Sequence, residues 1–148
     1  MVTGQAEHSI RGRILVVDRE DWCREFLSQV IKLLGFPEFR LATTVEEAFS
    51  ILDELSVDLL ITDLRFPEFH RLLENCHQRY PTMRFILMMH QRSPFQPWAF
   101  QERVDIVIKP LSLDEMARKI REAFHHTHRI QVDEAIRRLK HDAFRLLG

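Results

Sequence analysis

Short apolar runs and amphipathic stretches alternate along most of this chain. Five apolar runs fall at residues 14–17, 39–42, 57–62, 85–89 and 106–108. The first, third, fourth and fifth are nearly continuous in apolar residues, as expected of strands buried on both faces of a parallel sheet. Helical periods lie between them. Over 21–34, Trp22, Phe26, Val30 and Leu33 share a stripe expected to face the core, and Gly35 follows as the residue past the helix end. Asp21 is a candidate cap for this helix. Thr44-Val45-Glu46-Glu47 reads as a capping box, with Ala48, Leu52 and Leu55 directed inward. Leu72, Leu73, Cys76 and Tyr80 line a third helix that Pro81 stops. Ser112-Leu113-Asp114-Glu115 reads as a second capping box, followed by inward positions at Leu113, Met116, Ile120 and Phe124.

The fourth connection is the irregular one. Ser93-Pro94-Phe95-Gln96-Pro97-Trp98 allows at most a short helix opening at either proline. Trp98 and Phe100 are core plugs or an exposed patch, and the pattern does not choose between them. The alternation as a whole predicts a doubly wound five-stranded parallel α/β domain with a C-terminal helical extension. Its functional crevice is expected at the strand C-terminal ends. The expected division is a loose tail over 1–10, the domain over 11–125, and an amphipathic helix or linker over 126–148. In that last segment Val132, Ile136, Leu139, Ala143 and Leu146 recur at 4-3-4-3 spacing. This suits a homodimer seam or a linker to an output domain. His125, His126 and His128 read as an exposed basic joint between two helices, because their spacing matches no strong metal motif.

Composition narrows the function. The 148 residues carry 21 basic and 22 acidic side chains, a balance that gives no electrostatic footprint for nucleic acid. Only four glycines are present, which argues against a glycine-rich phosphate loop. Cys23 and Cys76 form no paired motif, and buried free thiols in a reducing cytoplasm are expected. The first ten residues lack the apolar segment of a secretory signal, and no apolar run approaches the ~20 residues that span a bilayer. The expectation is a soluble cytoplasmic protein.

Three of the strands end on charge. The first ends on Asp18, the third on Asp63 and the fifth on Lys109. In a parallel sheet these converge at one edge. Two carboxylates and an ammonium there can hold a phosphoryl group: one carboxylate as nucleophile, the other anchoring Mg²⁺, and the lysine neutralising phosphoryl oxygens.

These residues resemble the response-regulator receiver domain over residues 13–124. Val16-Val17-Asp18 resembles the family's first acidic site. Asp63-Leu64-Arg65-Phe66-Pro67 is similar to its phosphoacceptor motif, with Phe66 for the usual Met. Val107-Ile108-Lys109-Pro110 resembles its lysine-proline motif, whose peptide bond is usually cis. The resemblance implies a phosphoryl acceptor at Asp63, an acidic pocket of Asp18 and Glu20, and Lys109 as phosphoryl partner. It also implies Mg²⁺ on Asp18 and Asp63, a histidine kinase or other signalling protein as partner, and no enzymatic activity beyond slow dephosphorylation.

Several positions depart from the pattern. Receivers usually carry two adjacent acids after the first strand, and here the second is Arg19. Met89 stands where a hydroxyl usually binds the phosphoryl group, and a thioether cannot donate a hydrogen bond. Ile106 stands where an aromatic usually switches. Arg19 leaves the site near neutral, so Mg²⁺ is expected to bind weakly. Its guanidinium is expected to occupy the metal's place and bridge Asp18 or Asp63; the alternative is that Glu20 or Asp21 turns in. His90 either crowds the pocket, titrates there, or lies on a surface loop. Arg65 and Gln91 fall where receivers tune phosphoryl lifetime. The site departs from the D-x-D arrangement of haloacid-dehalogenase hydrolases, because Arg65 holds the second position after Asp63. The primary expectation is a phosphorelay receiver with a degenerate metal site and switch. The alternative is a phosphorylation-independent pseudo-receiver acting as an interaction adaptor.

Overall fold

The computed structural model describes residues 12–63, 65, 68–90 and 103–147, with the backbone alone described over 126–135 and 143–147. The expected tail over 1–10, the fourth connection with Trp98 and Phe100, and Phe66, Pro67 and Gln91 lie outside the described residues. Five strands are present: β1 (Arg13–Val17), β2 (Glu38–Ala42), β3 (Leu59–Asp63), β4 (Arg84–Met89) and β5 (Val104–Ile108). All pair in parallel, in the order β2-β1-β3-β4-β5. The described helices are α1 (Asp21–Leu33), α2 (Val45–Glu54), α3 (Phe69–Arg79) and α4 (Leu113–Leu147). This is the flavodoxin-like doubly wound arrangement expected from the apolar pattern.

Strand alternation divides the core. Ile14 and Val16 of β1 face α1 and α4, packing with Cys23, Leu27, Ile31, Met116 and Ile120. Leu15 and Val17 face the other layer, with Ala48, Leu52, Leu72 and Cys76 of α2 and α3. Leu59, Leu60 and Ile61 of β3 are buried whichever way they point, as a central strand requires. Each such side chain contributes roughly 1.5–3 kcal/mol by leaving water.

Local signals read from the sequence recur in the structure. The Thr44 hydroxyl accepts from the Glu47 amide at 3.1 Å, and the Ser112 hydroxyl from the Glu115 amide at 3.3 Å. Gly35 has φ +86°, a conformation glycine adopts without the penalty a Cβ incurs.

Four expectations need correction. The buried face of α1 is Cys23, Leu27, Val30 and Ile31, while Trp22 and Leu33 are 49% and 74% exposed. Both faces of this helix carry apolar residues, so periodicity alone favoured the bulkier pair. Asp21 does not cap α1: the N-cap position is Glu20, and Asp21 pairs instead with Arg24. Leu113 is exposed at the first position of α4, and Ile108 is exposed because β5 is an edge strand. The expected joint at His125, His126 and His128 is absent: α4 runs unbroken through it for 35 residues.

Candidate functional site

The strand order reverses between β1 and β3, which run side by side from the middle of the sheet. Chains leaving these two strands diverge to opposite faces, and a crevice opens at their C-terminal ends. Asp18 follows β1 directly and its amide donates to the Ala42 carbonyl at 3.1 Å. Asp63 is the last residue of β3. Lys109 follows β5, its amide held by the Met89 carbonyl at 2.6 Å, and its bond to Pro110 is cis. The three side chains converge as expected. Asp18, Asp63 and Lys109 are 1%, 3% and 5% exposed, so their charges must find partners in the protein.

Lys109 supplies most of them. Its Nζ donates to Asp63 Oδ2 at 2.6 Å, Asp18 Oδ2 at 3.1 Å and Glu20 Oε1 at 3.1 Å. An ammonium has three donors, and all three meet carboxylates. Burial works against the charged lysine, but the bonds to Asp63 and Glu20 and the nearby Asp18 charge outweigh it and raise its pKa. The Trp22 ring lies 5.2 Å from the same nitrogen.

Glu20 turns into the crevice. The Trp22 indole donates to Glu20 Oε2 at 2.7 Å, and Arg65 Nη2 donates to Oε1 at 3.1 Å. The indole bond first, and then Lys109, hold this carboxyl down to a pKa of about 2. Asp63 Oδ1 accepts the Arg65 amide at 2.7 Å, and the Arg65 Nε lies 3.9 Å from the same oxygen. Asp18 Oδ1 accepts the Glu20 amide at 2.8 Å. The His90 Nε2 approaches Glu20 Oε1 to 3.5 Å and Asp63 Oδ2 to 3.6 Å. That nitrogen is buried and has no hydrogen-bond partner among the described residues. Glu20, Asp63 and His90 each bring a ligand atom within 4.8 Å of the others, which makes them the candidate cation cluster.

Two expectations are redistributed by this geometry. Arg19 lines the cleft with Asp18, Glu20, Asp63 and Arg65, but it is exposed and bridges none of the carboxylates. The bridging arginine is Arg65 instead. Of the two acids offered as replacements, Glu20 is the one that enters, and Asp21 points to solvent. The pattern hinted at both: Arg65 lies two residues past Asp63, and Trp22 two past Glu20. No sequence period marks a side chain that folds back over its own strand end.

The two altered switch positions lie where their strands place them. Met89 is buried at the end of β4 and serves through its carbonyl, not its thioether. Ile106 is partly buried against the α2 and α3 layer. The nearby Thr62 hydroxyl donates to the Val17 carbonyl at 2.9 Å and so faces the sheet rather than the cleft.

The family model for the response regulator receiver domain matches residues 14–121. Among solved structures, a signal receiver domain of an HD domain-containing protein from Pseudomonas fluorescens Pf-5 is 25% identical. It covers 80% of this chain and 98% of its own, with a TM-score of 0.70. A CheY-like response regulator receiver domain protein from Methanospirillum hungatei JF-1 is 22% identical, covering 81% and 98%, with a TM-score of 0.72. The beryllofluoride-activated NtrC4 receiver domain dimer is also 22% identical, covering 78% and 98%, with a TM-score of 0.69. No curated protein matches the chain.

Proposed function

The chain belongs to the response regulator receiver domain family of two-component signalling, and from that footing we propose that Asp63 is its phosphoacceptor. The observation that carries this reading is the 2.6 Å bond from Lys109 Nζ to Asp63 Oδ2 at the floor of the crevice. The Asp63 carboxylate attacks the phosphorus of a histidine kinase's phosphohistidine. An O–P bond forms, the N–P bond breaks, and imidazole departs. Lys109 then turns one donor from carboxylate to phosphoryl oxygen. Met89 offers no hydroxyl and Ile106 no aromatic ring. The signal therefore leaves through the groups that do touch the site, Glu20, Arg65 and His90. Partners are the kinase and another signalling protein, in the cytoplasm, where Cys23 and Cys76 remain free thiols. A second copy joined through the C-terminal half of α4 is part of the same reading, supported by exposed Ile136 and Leu139.

A second reading is a fixed-state adaptor. It is favoured by Glu20, whose carboxylate already engages the Lys109 and Arg65 donors that a phosphoryl group would use. Intact mass after acetyl phosphate treatment decides between them. One phosphoryl adduct on the wild type, absent from Asp63→Asn, is expected. No adduct from either acetyl phosphate or a phosphorylated kinase would leave the adaptor.

A further inference from the structure

Receiver domains hold Mg²⁺ in the acidic pocket that corresponds to this crevice. Hard divalent cations need carboxylate oxygens with free lone pairs and a surplus of negative charge. This crevice is short of both. All six carboxylate oxygens of Asp18, Glu20 and Asp63 already accept a hydrogen bond from the protein. The donors are the Glu20 amide and Lys109 for Asp18; Lys109, Arg65 and Trp22 for Glu20; and the Arg65 amide and Lys109 for Asp63. Three carboxylates face the two cations Lys109 and Arg65, and Arg19 adds a third on the cleft wall.

Lys109 cannot be what distinguishes this site, because the lysine belongs to the family motif it resembles. Arg65 can. Its backbone amide fixes it to Asp63, and its guanidinium spans from Glu20 to Asp63 across the cleft mouth. A guanidinium is always charged and presents a planar fork of donors, so it can bridge two carboxylates as a metal would. We propose that Arg65 is a built-in cation: its guanidinium takes the charge-balancing place of the divalent ion and closes the cleft to metal. Without it Glu20 Oε1 loses one of its two donors and the cleft regains a formal negative charge, beside Glu20, Asp63 and His90 ligand atoms that lie within 4.8 Å of one another.

The proposal borrows its location from the Asp63 reading but is tested without any phosphodonor, so each fails separately. Mn²⁺ binding to the full chain, counted by electron paramagnetic resonance, gives the measurement. The wild type is expected to bind no Mn²⁺ at this site in the micromolar range. Arg65→Gln is expected to gain at least ~10-fold in affinity, the scale of a single strong influence on a metal site. That gain is lost again in Arg65→Gln/Asp63→Asn. Arg65→Lys, which keeps the charge without the fork, gains less. Arg118→Gln on α4 removes equal charge elsewhere and gains nothing. Because the Arg65 side chain is 58% exposed, its removal leaves the core intact, and circular dichroism checks this. Three results would overturn the proposal. One is a wild-type Mn²⁺ site abolished by Asp63→Asn. Another is an Arg65→Gln affinity equal to wild type. The last is an equal gain in Arg118→Gln or Arg65→Lys.

Discussion

Lys109 and Asp63 are bonded at 2.6 Å although their strands are not neighbours: β4 lies between β3 and β5. The lysine reaches over the end of β4, where the Met89 carbonyl anchors its amide. One side chain therefore ties three strands together at their functional edge. Removing it strands Asp18 and Asp63 as buried charges. Breaking a buried pair by deleting one partner typically costs about 3–5 kcal/mol. Lys109→Met is expected to fall in that range by urea denaturation. Lys109→Met/Asp63→Asn should recover part of the loss, because the second change removes one of the stranded charges. Additive losses would show that the pair is not coupled.

Glu20 ties acid stability to this same edge. Its carboxyl ordinarily titrates at 4.5 and is held down to about 2 in the folded chain. A depressed folded pKa means that the unfolded chain binds the proton more readily. The stabilising contribution is therefore complete above about pH 4.5 and fades as pH falls toward 2. The urea midpoint of the wild type should exceed that of Glu20→Gln at pH 6, and the two should converge by pH 2–3. A gap that stayed constant across this window would remove Glu20 as its source.

Both cysteines are fully buried, and burial pushes each thiol up to about 12. The thiolate is the reactive form, so neither should react while the chain is folded. Native protein at pH 8 should show negligible labelling by a thiol-specific reagent over minutes, and two equivalents once denatured. Rapid labelling of either residue in the native protein would contradict the packing around it.

The C-terminal half of α4 leaves Ile136 and Leu139 exposed at 45% and 69%. Three apart on a helix, they share a face that nothing among the described residues covers. Analytical ultracentrifugation should show concentration-dependent self-association of the wild type. Ile136→Asp/Leu139→Asp should sediment as a monomer with unchanged thermal stability of the sheet domain. A wild type that remained monomeric at hundreds of micromolar would remove the seam.

The sheet was legible because β1, β3 and β4 are buried on both faces, which writes them as unbroken apolar runs. The caps at Thr44 and Ser112 and the turn at Gly35 were legible because each depends on one residue type at one position. The inward face of α1 was not. Trp22 reads as core by its size, yet it lies at the helix start, where the indole N–H finds Glu20. The convergence of Asp18, Asp63 and Lys109 followed from strand ends alone. The choice of Arg65 over Arg19 did not. Both are single charged residues near a strand end, and what separates them is where each guanidinium lies: Arg65 donates to Glu20 across the cleft, while Arg19 stays exposed on its wall. The Arg65 amide also bonds Asp63. The missing joint at His125 has a simpler cause. Three histidines weaken a helix but contain no breaker, and neither proline nor glycine occurs between Pro110 and Gly148.

That uninterrupted helix gives the domain a lever. Its base is pinned to the domain, by Lys119 to Asp105 of β5 at 2.9 Å and by the Phe124 ring, whose centroid lies 4.5 Å from that of Phe36 in the connection before β2. Beyond residue 125 the backbone continues for about 33 Å at 1.5 Å per residue. A tilt of about 5° at the base would therefore carry the tip sideways by about 3 Å, roughly the width of an atom. A small rearrangement around β5, the strand that delivers Lys109 to the crevice, would in this way be magnified at a distance without any further hinge.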